Sequence, residues 1–220
     1  MMKNRIRKTM RKTVVGFAML AGIVMAGVNP ASAEEHPVLK DSSGNSVEYG
    51  KEYYMEPYEF PGYKLGGNRA GAHTYELYLH PGNHTKPMEI TFEKRWKNFE
   101  FPGDMVLIRH KESNPWAGVG LPYPWDGNQY VTVFDSNTSY LQLMYPYAFV
   151  EEGANRSMWK PMIPSADMDP KLIDGNYVAF KNEDLNVFFA SSNPNEMRSN
   201  AHVGNMDSKT MWRLIPVTEE

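Results

Sequence analysis

One pattern occurs three times along the 220-residue chain, and it restricts the fold more than any other feature of the sequence. Each copy has a tryptophan, then a basic residue, and a few residues later an apolar residue followed by proline. The three tryptophans are Trp96, Trp159 and Trp212. Their spacings are 159 − 96 = 63 and 212 − 159 = 53 residues, which indicates one supersecondary unit present in several copies.

A glycine opens an apolar run upstream of each of these tryptophans. The three glycines are Gly50, Gly103 and Gly175. Because the glycine and tryptophan markers alternate, they divide the chain after residue 33 into three units. The units span residues 34–101, 102–164 and 165–220.

The sequence of every unit is typical of β-strands. Short runs rich in Tyr, Phe, Val and Ile alternate with Pro, Gly and Asn, and no segment after residue 33 sustains a helical apolar period over three turns. We therefore predict one all-β domain over residues 34–220. Three β units that each close on a tryptophan strand favour a β-trefoil, a barrel in which one large ring per unit fills the floor. A β-sandwich is the alternative.

The first 33 residues have the layout of a secretory signal peptide. Residues 1–12 contain six basic and no acidic residues, and residues 14–28 form an apolar run interrupted only by glycine. An Ala-Ser-Ala sequence then predicts cleavage after Ala33. The apolar run is shorter than the ~20 residues of a membrane-spanning helix, so we expect a secreted protein without stable membrane insertion. The long basic segment is typical of bacterial signal peptides.

The charge of residues 34–220 argues against several kinds of partner. Since six of the 23 basic residues precede residue 34, this part has 23 − 6 = 17 basic and 26 acidic residues, a net charge of 17 − 26 = −9. Nucleic acids and anionic membrane surfaces both require clustered cations, so neither is an expected partner. The chain has no cysteine, which excludes disulfides, a thiol nucleophile and cysteine-ligated metals.

The segment 38–57 resembles the opening of the Kunitz-type (soybean trypsin inhibitor-like) proteins. It has an Asp-Ser-Ser-Gly-Asn turn from Asp41, then Gly50, then the strand that begins Tyr53-Tyr54. The resemblance implies a trefoil fold and an extracellular protein partner. It departs from the plant members of that family because they normally carry disulfides.

In Kunitz inhibitors the scissile bond lies on an exposed loop before the last strand of the first unit. The resemblance places this loop at Lys94, Arg95 and Lys97, whose basic side chains would suit a trypsin-like protease. The alternative is that Trp96 is a buried core residue and its basic neighbours are solvated flanks. The Gln-x-Trp signature of ricin-type lectins is absent, because Lys94, Ser157 and Thr210 lie two residues before the three tryptophans.

One aromatic-rich segment is interrupted too often by Pro and Gly to be a regular strand. Its candidate ligand-binding residues are Trp116, Tyr123, Trp125, Asp126 and Asn128. Aromatic side chains on a loop either contact a ligand or fold back onto the protein. The segment is therefore either a glycan or protein contact surface or an insertion that caps the barrel.

No pattern in the sequence predicts catalysis, a metal site or a cofactor. The Gly-x-Ser-x-Gly and phosphate-loop motifs are absent, and we expect His80 and His84 on a turn, where no third ligand can be named. We expect a non-catalytic binding protein, with protein binding and protease inhibition as the first hypothesis. The alternatives are a lectin-like trefoil and a receptor-binding accessory of a toxin or virulence system. The sequence leaves the oligomeric state open.

Overall fold

The computed structural model describes residues 35–69, 75–81, 87–96, 99–100, 103–111, 128–133, 141–144, 154–194 and 202–218. They belong to the compact unit Ala33–Glu220. Almost all regular structure in these residues is β-strand, which confirms the all-β prediction. The strands are β1 (Glu35–Lys40), β2 (Ser46–Glu48), β3 (Tyr53–Pro57), β4 (Tyr63–Arg69), β5 (Tyr75–Pro81), β6 (Ile90–Glu93), β7 (Arg95–Trp96), β8 (Phe99–Glu100), β9 (Val106–Lys111), β10 (Asn128–Val133), β11 (Leu141–Met144), β12 (Met158–Met162), β13 (Ala179–Asn182), β14 (Val187–Ala190), β15 (His202–Gly204) and β16 (Trp212–Pro216).

Six strands pair side by side into a closed barrel. Their order around the barrel is β3, β6, β9, β12, β13 and β16. The last strand, β16, returns to β3 over five residue pairs, and a bridge between Val178 and Trp212 joins it to the start of β13. Closure leaves the barrel without an open edge at which another chain could pair.

Each unit places an antiparallel hairpin between its two barrel strands. The hairpins are β4–β5, β10–β11 and β14–β15. The chain thus repeats one plan three times: barrel strand, hairpin, barrel strand. This is the barrel arrangement that the sequence repeat predicts.

The pairing register identifies corresponding residues in the three units. The corresponding cross-strand pairs are Tyr53↔Ile90, Val106↔Trp159 and Val178↔Trp212. All six side chains are buried. These six residues, one matched pair from each unit, therefore form a packed layer in the barrel interior.

The predicted equivalence of Trp96 with the other two tryptophans is wrong. Ile90 occupies the corresponding position of the first unit, whereas Trp96 lies in β7 and pairs with Phe99 of β8. The two-stranded ribbon β7–β8 follows the barrel strand β6 and lies outside the barrel sheet. The Trp-basic pattern of the first unit therefore lies outside the barrel strands.

The two barrel tryptophans share one hydrogen-bonding role. Trp159 Nε1 donates to the carbonyl of Val131 at 2.9 Å, and Trp212 Nε1 donates to the carbonyl of Phe189 at 3.0 Å. Both acceptors lie on the first strand of the hairpin in the same unit. The indoles therefore fill the core and attach each hairpin to its barrel strand.

The three predicted glycines lie at corresponding positions, each three residues before the matched pair. Gly50 and Gly103 have φ values of +80° and +61°, which favour glycine. At Gly175 the reason is space, because an added Cβ would lie 2.6 Å from Cε2 of Tyr177.

A short helix, α1 (Pro170–Asp174), packs outside the barrel in the third unit. The Asp169 side chain accepts the backbone N–H of Lys171, and Pro170 begins the helix. The helix buries Leu172 in a cluster with Ala179 and Met211. Among the described residues no helix is long and apolar enough to span a membrane.

Candidate functional site

The connection from the first barrel strand to the hairpin differs greatly in length among the units. It has 63 − 57 − 1 = 5 residues in the first unit and 187 − 182 − 1 = 4 in the third. In the second unit 128 − 111 − 1 = 16 residues lie between the paired residues Lys111 and Asn128, and we call this stretch the long connection (112–127). The second unit therefore carries an insertion at a position where the other two units have a tight turn.

The aromatic segment predicted from the sequence coincides with this insertion. Its residues Trp116, Tyr123, Trp125 and Asp126 lie in 112–127, outside the described residues. Asn128 is described and is the first residue of β10. It pairs with Lys111, the last residue of β9, so the two ends of the long connection are held side by side in the sheet.

A polar network supports the strands from which the long connection leaves. Arg109 Nη1 lies 2.7 Å from Glu93 Oε1, and Arg109 Nε donates to Thr91 Oγ1 at 3.1 Å. The Tyr130 hydroxyl donates to Glu93 Oε2 at 3.3 Å. The partly buried Glu93 carboxylate of the first unit thus bonds to Arg109 in β9 and to Tyr130 in β10. These contacts hold together the two strands from which the long connection leaves, and they neutralise the charge of Arg109.

Sequence reasoning missed this network. The apolar run Val106-Leu107-Ile108 is buried throughout, so β9 has no alternation in its first half that would indicate which face Arg109 occupies. The partner of Arg109 could not be predicted, because Glu93 lies on another strand whose register the sequence does not reveal.

The strand end that leads to Lys94 and Arg95 and the strand end that leads to the long connection lie at opposite ends of β9. In the β6–β9 pair, Ile90 is opposite His110 and Glu93 is opposite Leu107, so β6 ends at the opposite end of β9 from Lys111. At ~3.3 Å per residue, four residues of β9 separate the two regions by about 13 Å. Lys94 directly follows β6, Arg95 lies in β7, and Lys97 lies outside the described residues.

A second polar cluster joins the third unit to the first, where the barrel closes. We call it the closing cluster: Glu56, Tyr58, Asp169, Tyr177 and Arg213. Glu56 is buried, pairs with Arg213 and accepts the backbone N–H of Gly62 at 3.2 Å. The Arg213 guanidinium also lies over the Tyr177 ring, 5.6 Å from its centroid.

The tyrosines of the closing cluster form its outer part. The Tyr58 and Tyr177 rings meet edge to face at 5.1 Å, and the Tyr58 hydroxyl donates to Asp169 Oδ2 at 2.6 Å. That hydrogen bond is the main cause that holds the pKa of Asp169 below its ordinary value. Burial raises the pKa of Tyr177. The side chains of the closing cluster therefore bond to one another. This indicates that the cluster has a structural role in closing the barrel.

Replacing Tyr58 with phenylalanine should raise the pKa of Asp169 toward its ordinary value. Because folding lowers the pKa of this carboxyl, its contribution to stability is present above the unfolded pKa and is lost as pH falls through the folded pKa. The variant should therefore lose less stability on acidification. Carboxyl-carbon NMR titration measures the change, with Asp167 as the control because Ser165 lowers its pKa independently. An unchanged Asp169 midpoint would contradict this assignment.

Replacing Glu56 with alanine should lower the free energy of unfolding by about 2 kcal/mol, because it leaves a partly buried guanidinium unpaired. The side chain of Glu56 is 7% exposed and that of Arg213 is 34% exposed, so the value lies between those of surface and buried pairs. The control is Glu48→Ala, whose partner Lys51 is exposed, and which should cost less than about 1 kcal/mol. Denaturant unfolding compares the two variants, and equal losses would contradict the prediction.

The described residues contain no group of three or more His, Cys, Asp or Glu side chains placed to hold a metal ion. Two histidines, His80 and His110, have local partners. His110 Nδ1 donates to the Glu89 carbonyl at 2.8 Å, and His80, which is buried, donates from Nδ1 to the Pro81 carbonyl at 2.7 Å. These two histidines therefore bond to the backbone of the sheet.

No protein-family model matches the sequence, and no curated protein matches it. Many solved structures share the fold. One is the trefoil protein BEL, with a TM-score of 0.52 and 10% identity, covering 84% of this chain and 100% of that one. Another is the binding domain of botulinum neurotoxin serotype C1, with a TM-score of 0.52 and 12% identity, covering 84% of this chain and 47% of that one.

A third is a lectin of Polyporus squamosus bound to the glycan Neu5Acα2-6Galβ1-4GlcNAc. It has a TM-score of 0.51 and 9% identity, and covers 79% of this chain and 51% of that one. This chain spans about half the length of the toxin and lectin chains. At such identities the likeness shows the fold alone, and with the closed barrel and its three hairpins the protein is a β-trefoil.

Proposed function

We propose that the protein is a secreted, non-catalytic carbohydrate-binding trefoil whose glycan site is the long connection (112–127). Trp116, Tyr123 and Trp125 would contact the sugar rings, and Asp126 and Asn128 would bind hydroxyl groups. The observation that carries the proposal is the length of this connection, 16 residues against 5 and 4 at the corresponding positions. A threefold-repeated barrel does not need this insertion in order to close. The three aromatic residues of the insertion therefore indicate a role in binding.

The chemistry of the insertion suits a neutral glycan. Its residues include two tryptophans, one tyrosine and no lysine or arginine, and its charged residues are Glu112 and Asp126. At its stem the charge of Arg109 is already neutralised by Glu93 at 2.7 Å. Lys111 adjoins the insertion, but the charged residues within the insertion are two carboxylates, which disfavour an anionic sugar. A neutral sugar offers hydroxyl groups to Asp126 and apolar ring faces to the aromatic residues.

The structural neighbours support binding more than inhibition. A lectin bound to a glycan and a toxin binding domain both have this fold, so a trefoil serves as a scaffold for such sites. The same reasoning fits a receptor-binding accessory, in which the glycan would lie on an extracellular partner. The signal-like segment 1–33 supports secretion. Protease inhibition at Lys94, Arg95 and Lys97 stays a prediction from the Kunitz resemblance, tested by loss of inhibition in Arg95→Ala and Lys97→Ala.

A glycan array tests the proposal with matched variants of the two tryptophans. We expect the purified protein to bind neutral glycans and Trp116→Ala or Trp125→Ala to weaken binding about 30-fold or more, equivalent to ~2 kcal/mol. Trp116→Phe and Trp125→Phe keep an aromatic face and should retain most of the affinity. Glycan binding that survives both alanine variants would place the site elsewhere.

A further inference from the structure

We propose that the third unit carries a methionine oxidation site, and that oxidation of this site by a hydroperoxide loosens the closure of the barrel. The site is the methionine cluster: Met162, Met168, Met206 and Met211. The chain has no cysteine, so methionine supplies all of its sulfur. None of these residues belongs to the proposed glycan site, so the two proposals can fail separately.

The fold brings the four methionines together from separate segments. Met162 is the last residue of β12, and Met168 lies shortly before α1. Met206 precedes the 3-10 turn Ser208–Thr210, and Met211 directly precedes β16. The cluster therefore depends on the folded third unit and is not a local run of sequence.

The cluster has a buried centre and a partly buried outer layer. The centre consists of Leu172, Ala179 and Met211. The residues packed against it are the other three methionines and three aromatic residues: Tyr58, Met162, Met168, Tyr177, Phe188 and Met206. Thioether groups fill such irregular apolar space well and make favourable contacts with aromatic rings.

Exposure distinguishes the outer methionines from those of the interior. Met162, Met168 and Met206 are partly exposed, whereas Met211 is fully buried. The core methionines Met55 and Met88 are 0% and 4% exposed. Because oxidation requires access to the sulfur, a peroxide in solution should react with the outer three methionines before it reaches the core.

The reaction transfers one oxygen atom from the peroxide to sulfur. The thioether sulfur attacks one oxygen of hydrogen peroxide, the O–O bond breaks and an S–O bond forms. The sulfur loses two electrons, and the departing hydroxide takes the proton of the transferred oxygen and leaves as water. The sulfoxide is polar, so it packs poorly against apolar neighbours such as Leu172.

The methionine cluster adjoins the closing cluster. Tyr58 and Tyr177, whose rings meet at 5.1 Å, belong to both. The backbone N–H of Tyr58 also donates to the Met211 carbonyl at 2.9 Å. A sulfoxide that displaces Leu172 or Tyr177 therefore weakens the contacts that join the third unit to the first.

The second unit offers a matched comparison. Met105 and Met158 are partly exposed and pack against the buried residues Leu107 and Tyr130. No residue of the closing cluster belongs to that group. Oxidation of Met105 and Met158 should therefore disturb the closure of the barrel less.

Treatment of the purified, folded protein with hydrogen peroxide tests the proposal. Peptide mass spectrometry follows each methionine over time, and thermal unfolding follows stability. We expect Met162, Met168 and Met206 to gain oxygen before Met55 and Met88, and the melting temperature to fall by about 4 °C or more in step with them. Methionine sulfoxide reductases should restore it.

Hydrogen exchange gives a local measure of the same change. The Tyr177 amide, which donates to the Leu172 carbonyl at 2.9 Å, should exchange faster after oxidation. The Met88 amide, which donates to the Leu65 carbonyl at 2.9 Å, is the control in the first unit and should exchange as before. Equal acceleration of both amides would contradict a local effect on the closure.

Two leucine variants separate the clusters, because leucine conserves the volume of methionine. The Met162→Leu/Met168→Leu/Met206→Leu variant should keep its melting temperature after peroxide, whereas Met105→Leu/Met158→Leu should lose stability as wild type does. A triple variant that loses as much as wild type would overturn the inference. If that variant does not fold, the wild-type time course decides: an unchanged melting temperature, or one that follows Met105 and Met158, would equally overturn it.

Discussion

Replacing Trp212 with alanine should lower the free energy of unfolding by about 3–5 kcal/mol. The Trp212 side chain is fully buried and its ring centroid lies 4.7 Å from that of Phe189. The substitution removes one of the two indole rings of this layer and also the indole N–H that bonds the Phe189 carbonyl at 3.0 Å. Denaturant unfolding followed by circular dichroism measures the change.

Two further variants separate the packing of Trp212 from its hydrogen bond. Trp212→Phe retains a ring but leaves the Phe189 carbonyl without its indole donor, so its loss should lie between that of alanine and wild type. Ile163→Ala is the exposed control, because its side chain is 61% exposed and it should change stability by less than about 0.5 kcal/mol. A Trp212→Ala variant as stable as this control would contradict the barrel assignment.

Replacing residues 112–127 with the four-residue turn of the third unit should abolish glycan binding, a loss of more than about 100-fold, and preserve the fold. The two connections leave equivalent strand ends, because Lys111 is directly opposite Asn128 as Asn182 is directly opposite Val187. Shortening a surface loop between paired strands changes the closure entropy by only about 1 kcal/mol. Glycan titration and denaturant unfolding of the same preparation measure both effects.

Two length-matched variants control for the shortened loop. Changing Trp116, Tyr123 and Trp125 together to serine should also remove binding, whereas changing them together to phenylalanine should retain much of it. A shortened variant that still binds glycan would contradict the proposed site. A shortened variant that loses several kcal/mol of stability would show that the insertion caps the barrel, the alternative that the sequence left open.

The sequence predicted the class of fold because the signals are local. The β-branched and aromatic runs and the turn residues that define β9 or β14 lie within a few residues, and the matched glycines Gly50, Gly103 and Gly175 have conformational or steric reasons of their own. The helix α1 was missed, although its Asp169 cap and Pro170 start were readable. Five residues are too few for a periodic apolar signal.

The sequence could not predict the contacts and correspondences that depend on strand register. Trp96 was matched to Trp159 and Trp212 by its basic neighbour, but the register assigns that position to Ile90. The ion pair of Arg109 with Glu93 likewise joins strands whose pairing has no local signal. The comparison of connection lengths also required the structure, because only the strand ends show that 112–127 corresponds to two short turns.

The central claim is that the glycan contacts Trp116 and Trp125, and NMR of the five tryptophan indole N–H groups tests it most directly. Trp159 and Trp212 are internal controls, since their N–H groups are buried and bonded to the Val131 and Phe189 carbonyls. On titration with chitotetraose, cellotetraose and N-acetyllactosamine we predict that the Trp116 and Trp125 signals shift while those of Trp159 and Trp212 stay in place. Unchanged Trp116 and Trp125 signals at saturating concentrations of all three probes would contradict the account.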